Sequence, residues 1–229
     1  MTESEALTPD QGPTMAQKTP ISIDIFSDVI CPWCFIGKRR LEQAAALHGG
    51  VEIKINWRAF LLNPAMRREG MDRQAYIQAK FGQAGASFYE RIAGVGKDVG
   101  IDFNFATIQR TPDSRPAHSL VLSAQGAAQD ADADAVKQAL LDAYFIEGRD
   151  IGDGAVLQEI ADQYQVPYPA DDAVFAQIEQ DLVEASRLNI QGVPYFIVAQ
   201  EWAISGAHPP ETFQPLFDAA IAKTAAETS

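Results

Sequence analysis

Cys31 and Cys34 are the only two cysteines of the chain, and they stand three residues apart in Ser27-Asp28-Val29-Ile30-Cys31-Pro32-Trp33-Cys34. The alternating run Ile21-Ser22-Ile23-Asp24-Ile25-Phe26 precedes them and a segment with helical spacing follows, which puts the pair at a strand-to-helix junction. Thiols at i and i+3 on a first helical turn can close a small ring: one attacks a substrate disulfide and the other resolves the mixed disulfide. Unpaired N–H groups and the helix dipole favour a thiolate there, so a lowered pKa is expected for Cys31. Pro32 suits the turn because its missing N–H would have had no helical partner. Two other readings stay open on the residues alone, half of a zinc site and a pair of inert core thiols. A four-thiolate zinc site needs a second pair, and His48, His118 and His208 show no recognisable ligand spacing, so no metal is expected.

The chain has 229 residues, enough for one large domain or a domain with a substantial insert. Eighteen basic and thirty-one acidic residues give a formal charge of −13, which opposes binding to nucleic acid or anionic membrane. The run Lys38-Arg39-Arg40 reads as a solvated helix face. No stretch approaches the length of a transmembrane helix. Residues 1–19 are polar, acidic and proline-containing, lack the pattern of a secretory signal, and read as a flexible tail. The expected location is the reducing cytoplasm, where a cysteine pair is catalytic rather than a structural staple.

The elements that must position the dithiol follow from periodicity. A strand is expected over 21–27, a helix over 32–47 with Phe35, Ile36, Leu41 and Ala45 on its apolar stripe, and a stop at Gly49-Gly50. Val51 to Trp57 alternates and reads as a second strand, parallel to the first through a right-handed crossover. Apolar residues at helical spacing then fill 72–82, 86–98, 115–128, 132–146, 153–164 and 171–187. Strands return at 195–199 and 201–205, with a tight turn at Gln200-Glu201, before a last helix carrying Phe213, Phe217, Ala220 and Ile221. Pro215 marks a displaced start or a kink in that helix. The flanking units can share one sheet only if the helices between them are an excursion from it. The expected organisation is a tail 1–19, a first core part 20–64, a helical insertion 65–187 and a second core part 188–226. Periodicity does not separate core from a homodimer face in the insertion.

This pattern, with Cys31-Pro32-Trp33-Cys34 at its first helix, resembles the thioredoxin superfamily and its DsbA-like branch: an α/β, thioredoxin-like fold with a large inserted all-helical subdomain. Asp28, Pro112-Asp113-Ser114-Arg115-Pro116-Ala117-His118, Gly192-Val193-Pro194-Tyr195-Phe196 and Ser205-Gly206-Ala207 narrow the resemblance. They are similar to the polyketide-biosynthesis-type (FrnE-like) oxidoreductases related to 2-hydroxychromene-2-carboxylate isomerases. The resemblance implies Cys31 as nucleophile, Cys34 as resolving thiol and a cis-Pro194 loop beside them. Pro32, Trp33, Val193, Arg115 and His118 are the candidate substrate contacts. For His118 and Arg115 the structural alternative is a helix start capped by Ser114, with His118 holding a structural hydrogen bond. Many relatives carry a buried carboxylate six residues before the nucleophile to take the resolving thiol's proton; here that position is Ile25, and Asp24 faces the other side of the strand. Asp28 can either cap the helix or raise the pKa of Cys31 by like charge.

The resemblance implies a thiol–disulfide oxidoreductase acting on protein or small-molecule thiols and disulfides. It needs no flavin, nicotinamide or metal, with glutathione as the redox partner or cosubstrate to consider. The alternative is a glutathione-dependent isomerase or transferase acting on an aromatic or polyketide-like molecule, against which the retained second cysteine argues. A noncatalytic scaffold leaves the dithiol unexplained.

Overall fold

In the computed structural model, which describes residues 19–127 and 132–227, the first strand β1 (Thr19–Ser27) buries Ile21, Ile23 and Ile25 while Ser22 and Asp24 turn away. The tail reading of residues 1–19 lies outside the described residues except for Thr19, which opens β1. Helix α1 (Pro32–His48) follows and stops at Gly49, whose φ of 71° lets its N–H reach the Ala45 carbonyl. Strand β2 (Val51–Ala59) lies parallel to β1, with Ile25 opposite Trp57.

The chain then leaves the sheet through β3 (Met71–Asp72), α2 (Arg73–Phe81), α3 (Gly85–Asp98), β4 (Arg110–Thr111), α4 (Arg115–Gly126), α5 (Ala133–Phe145), α6 (Gly154–Tyr164) and α7 (Asp172–Arg187). Asp72, Asp132, Asp153 and Asp171 cap α2, α5, α6 and α7 through their side chains, which uses part of the acidic excess at helix starts. It returns as β5 (Tyr195–Val198), β6 (Trp202–Ser205) and α8 (Gln214–Glu227). The sheet order is β2-β1-β5-β6, with β5 antiparallel to both neighbours. This is a mixed α/β thioredoxin-like core carrying a large helical insertion.

Details differ from the sequence expectation for physical reasons. The insertion is not wholly helical: β3 and β4 pair antiparallel over two residues each, too short to show an alternation. The β5–β6 turn sits on Ala199 and Gln200, at φ of 49° and 59°, one residue earlier than expected. Pro215 is the second residue of α8, where no helical N–H is lost, so the start is displaced and no kink is needed. Lys38 is buried, not solvated, because its ammonium pairs with Glu42 and, at 2.9 Å, with Asp134 of α5.

The insertion shares its core with the sheet. Phe35 of α1 meets Phe103 edge-on at 5.8 Å and Phe145 at 6.4 Å, inside a cluster that also holds Ile23, Ile25 and Trp57. It also covers the outer edge of β2. Gln125 of α4 accepts from the Trp57 N–H at 2.6 Å and donates to the Trp57 carbonyl at 3.2 Å. Asp181 of α7, fully buried, accepts from the Ala59 N–H at 2.8 Å and from Arg58 Nε at 2.6 Å. An edge strand is thereby closed without another strand. Removing one partner of such a buried pair typically costs about 3 kcal/mol or more. Asp181→Ala should lower the unfolding free energy in urea by about that amount, whereas Val183→Ala, on the exposed side of the same helix, should change it by less than about 0.5 kcal/mol. Equal effects of the two changes would refute the edge-closing role.

Candidate active site

Beyond Ser27 the chain turns through Asp28, Val29 and Ile30 into Cys31, the N-cap of α1, with φ −97° and ψ 111°. The Cys31 N–H donates to the Asp28 carbonyl at 3.2 Å, and the Cys34 N–H to the Cys31 carbonyl at 3.0 Å. The Asp28 carboxylate does not cap the helix. It is fully buried and accepts from the N–H groups of Ile30 at 3.3 Å and Leu62 at 2.7 Å, with His118 Nε2 of α4 at 3.4 Å. Burial opposes its charge, but the His118 contact and the two N–H groups outweigh it and hold the carboxyl below the ordinary aspartate range. Burial pushes His118 down as well, against the pull of Asp28.

Both thiols are free and almost equally buried, at 4% and 3% exposure, so burial does not choose a nucleophile. Hydrogen-bonded to each other, they titrate as a unit. The Cys34 contact, followed by burial, raises Cys31 well above the ordinary thiol range. Cys34 is lowered despite its burial, by the Cys31 thiol, the Lys137 ammonium, the Ser27 hydroxyl and the Asp28 N–H. The lowered thiol was expected at Cys31. In the dithiol it is Cys34, first because of the hydrogen bond it shares with Cys31 and then because of the Lys137 ammonium, while the same shared bond raises Cys31.

Across the dithiol runs the loop before β5. The Val193–Pro194 peptide is cis, and Cys31 Sγ lies 3.7 Å from the Val193 carbonyl oxygen. Pro194 packs on Gly37 of α1, where a Cβ would stand 2.7 Å from Pro194 Cγ, so helix and loop approach only over a glycine. The Gly206 N–H donates to the Pro194 carbonyl at 2.8 Å, from a φ of 99° that favours glycine. The two late motifs are therefore one unit.

Of the expected contact residues, Trp33 and Val193 are half-buried and Pro32 is buried at the first position of α1. Arg115 and His118 go to different neighbours. Arg115 pairs with Asp113 at 3.0 Å and donates to the Pro64 carbonyl at 2.8 Å, while His118 is buried against Asp28. Ser114 makes no side-chain cap; the Asp113 carboxylate takes the Arg115 N–H at 3.2 Å instead. Sequence reasoning missed Lys137, buried on α5. The signal was present, since Leu141 and Tyr144 stand four and seven residues on and share its face.

An open cavity of about 520 Å³ follows the segment after β2, with Leu62, Met66 and Met71 as apolar wall, Arg67 and Lys80 as its charges, and no lining carboxylate. Among the described residues no group of three His, Cys, Asp or Glu could hold a metal ion, and no helix is long and apolar enough to cross a membrane.

A dithiol at the start of the first helix, facing a cis-proline loop within this sheet order, defines a thioredoxin-fold protein with a candidate redox-active cysteine pair. The chain belongs to the DSBA-like thioredoxin domain family, which matches residues 22–218. It is similar to the uncharacterized protein YwbO of Bacillus subtilis (strain 168), 22% identical over 201 residues, 85% of this chain and 94% of that one. Its fold is similar to a probable DsbA oxidoreductase from Streptomyces coelicolor, with TM-score 0.75, 24% identity, and 88% and 90% of the two chains covered. The cytosolic disulfide reductase DsbM from Pseudomonas aeruginosa, solved with GSH, gives TM-score 0.56 at 18% identity, over 90% and 98% of the chains.

Two outcomes are expected from this geometry. Gly37→Ala should destabilise by about 1–3 kcal/mol through overpacking against Pro194, while Gly94→Ala, open around its Cβ, should be neutral or stabilise by up to about 1 kcal/mol; denaturant midpoints decide. Because His118 is depressed when folded, the unfolded chain binds its proton first as pH falls. Its contribution is full above the ordinary histidine value of about 6.5 and is lost below it. Asp28, also depressed, loses its contribution only below about 3.9. The urea midpoint should therefore fall between about pH 7 and pH 5 in the wild type and fall less in His118→Gln; parallel profiles would exclude the His118 term.

Proposed function

We propose that the protein is a thiol–disulfide oxidoreductase in which Cys31 attacks and Cys34 resolves, beside the Pro194 loop. The observation that carries the reading is the 3.7 Å approach of Cys31 Sγ to the Val193 carbonyl. It sets the dithiol against a loop whose half-buried Val193 is available to an extended substrate. In the reductive direction the Cys31 thiolate attacks a substrate disulfide, one substrate sulfur leaves with the electron pair, and a mixed disulfide forms. Cys34 then attacks Cys31, the second substrate sulfur leaves, and the protein is left as the disulfide. The substrate gains two electrons and two protons. The opposite direction runs the same steps backwards, and the reduction potential against the compartment decides between them.

The substrates in this reading are protein or small-molecule thiols and disulfides, with Pro32, Trp33 and Val193 as contacts and Arg115 and His118 as supports of the surrounding loops. The motif set Pro112 to His118 with Gly192 to Phe196 supports the polyketide-biosynthesis-type branch, and residues 20–64 and 188–226 form the core around the insertion 65–187. A reducing cytoplasm fits a lone reactive pair and the likeness to a protein named as a cytosolic reductase. Glutathione is the redox partner we favour. The cavity beside Leu62 offers two cations and no carboxylate to a peptide with two free carboxylates, and DsbM was solved with GSH.

Purified protein should accelerate dithiol-dependent reduction of insulin, and Cys31→Ser should return the rate to background. Cys34→Ser should accumulate a Cys31–glutathione adduct, read by intact mass. No catalysed reduction together with no reversible Cys31–Cys34 disulfide in glutathione buffers would end this reading.

A further inference from the structure

Lys137 lies in a part of the chain that no active-site motif marks, yet it stands behind the dithiol. Its residue is 2% exposed, and Nζ sits 4.9 Å from the centre of the Trp57 ring. Among the described residues no carboxylate lies within salt-bridge distance of it: Asp134, one turn earlier on α5, is taken by Lys38 at 2.9 Å. A buried cation without a paired anion is costly, so its compensation must be sought among other groups.

The helix register says where. Cys34 and Lys38 are one turn apart on α1, and Asp134 and Lys137 are one turn apart on α5. The Lys38–Asp134 pair locks these two turns together and carries Lys137 towards Cys34. We propose that Lys137 is the ionic partner of Cys34 and holds the dithiol's second proton: its ammonium balances the Cys34 thiolate in the reduced protein and gives up that proton when the disulfide forms. The step balances in the reductive direction. In this proposal the reduced protein carries one proton on the cysteine pair and one on Lys137. The substrate S–S bond breaks, the Cys31–Cys34 bond forms, two electrons pass to the substrate, and the two leaving thiolates take the two protons.

The surroundings support this assignment from every side. Lys137 is pushed down to about 8, first by burial, while Cys34, Asp28, Cys31 and Asp134 pull it up, Cys34 most strongly. From α4, the Lys137 ammonium adds to the burial that pushes His118 down. From β2 the Trp57 ring faces it, at 4.9 Å. Once the disulfide removes the thiolate, burial has less to oppose it, and the amine becomes the better occupant of the site. The lysine thus fills, from the insertion, the place that Ile25 leaves without a carboxylate on β1.

The inference rests on the exchange reading, and the test separates the two. In a Cys31→Ser background only Cys34 contributes a thiolate to the far-ultraviolet absorbance. Lys137→Met should move its titration up so that thiolate near neutral pH falls about tenfold, one pKa unit. Lys137→Arg, which keeps the charge, should stay within about threefold of the unchanged lysine. A Cys34 curve that Lys137→Met leaves in place overturns the proposal. Should Lys137→Met not fold, carbon NMR of the Lys137 side chain in the wild-type chain decides. Its deprotonation midpoint should drop about a pKa unit or more on going from dithiol to disulfide, and equal midpoints overturn the proposal. Exchange with glutathione that persists while the midpoints do not move defeats this inference alone. Absent exchange with a shifted Cys34 curve defeats the enzymatic reading alone.

Discussion

The buried carboxylate of Asp28 is the constraint from which the active site hangs. It joins three segments distant in sequence: the turn that presents Cys31, through Ile30; the chain leaving β2, through Leu62; and α4 of the insertion, through His118. A charge in that position is tolerable only if its lone pairs are occupied, and each occupant fixes one wall. Removing His118 would leave the buried carboxylate to the Ile30 and Leu62 N–H groups alone. The short link between the strand and α1 is therefore held by electrostatics as much as by the apolar packing of Ile25 and Phe26.

A second consequence concerns the insertion. A domain inserted into a loop usually keeps its own core, but Phe35 here packs on Phe103 and Phe145 and belongs to the same cluster as the sheet. The free edge of β2 is finished by Gln125 and Asp181, side chains from two inserted helices. Without them the N–H groups of Trp57 and Ala59 would be left unpaired on an exposed edge, which invites aggregation. The sheet and the helices are thus mutually required.

What could be read from the sequence was what is local. Alternation fixed β1 and β2, helical period fixed the inserted helices to within a few residues, and the spacing of Cys31 and Cys34 announced the chemistry. What could not be read depends on contacts across the chain. Lys38 looked like one of three solvated cations because Asp134, its partner, is far away in sequence. Gln125 and Asp181 are unremarkable helix residues until the strand edge they serve is in place. Gly37 is an intermediate case. A glycine inside a helix is unfavourable enough to ask for a reason, but only the structure names Pro194 as that reason.

Charges of opposite sign act on the dithiol, Asp28 on Cys31 and Lys137 on Cys34, and they add to the larger effects of burial and of the hydrogen bond the thiols share. Each charge pushes in the direction that the shared bond already sets, up for Cys31 and down for Cys34. In the exchange cycle proposed above, with Cys31 in a mixed disulfide, the Lys137 charge would favour the ionised Cys34 that the next attack needs. In that reading the arrangement assists resolution rather than initial attack. In the same reading it would shorten the life of a glutathione held on Cys31, which favours disulfide exchange over isomerisation of a bound glutathione adduct.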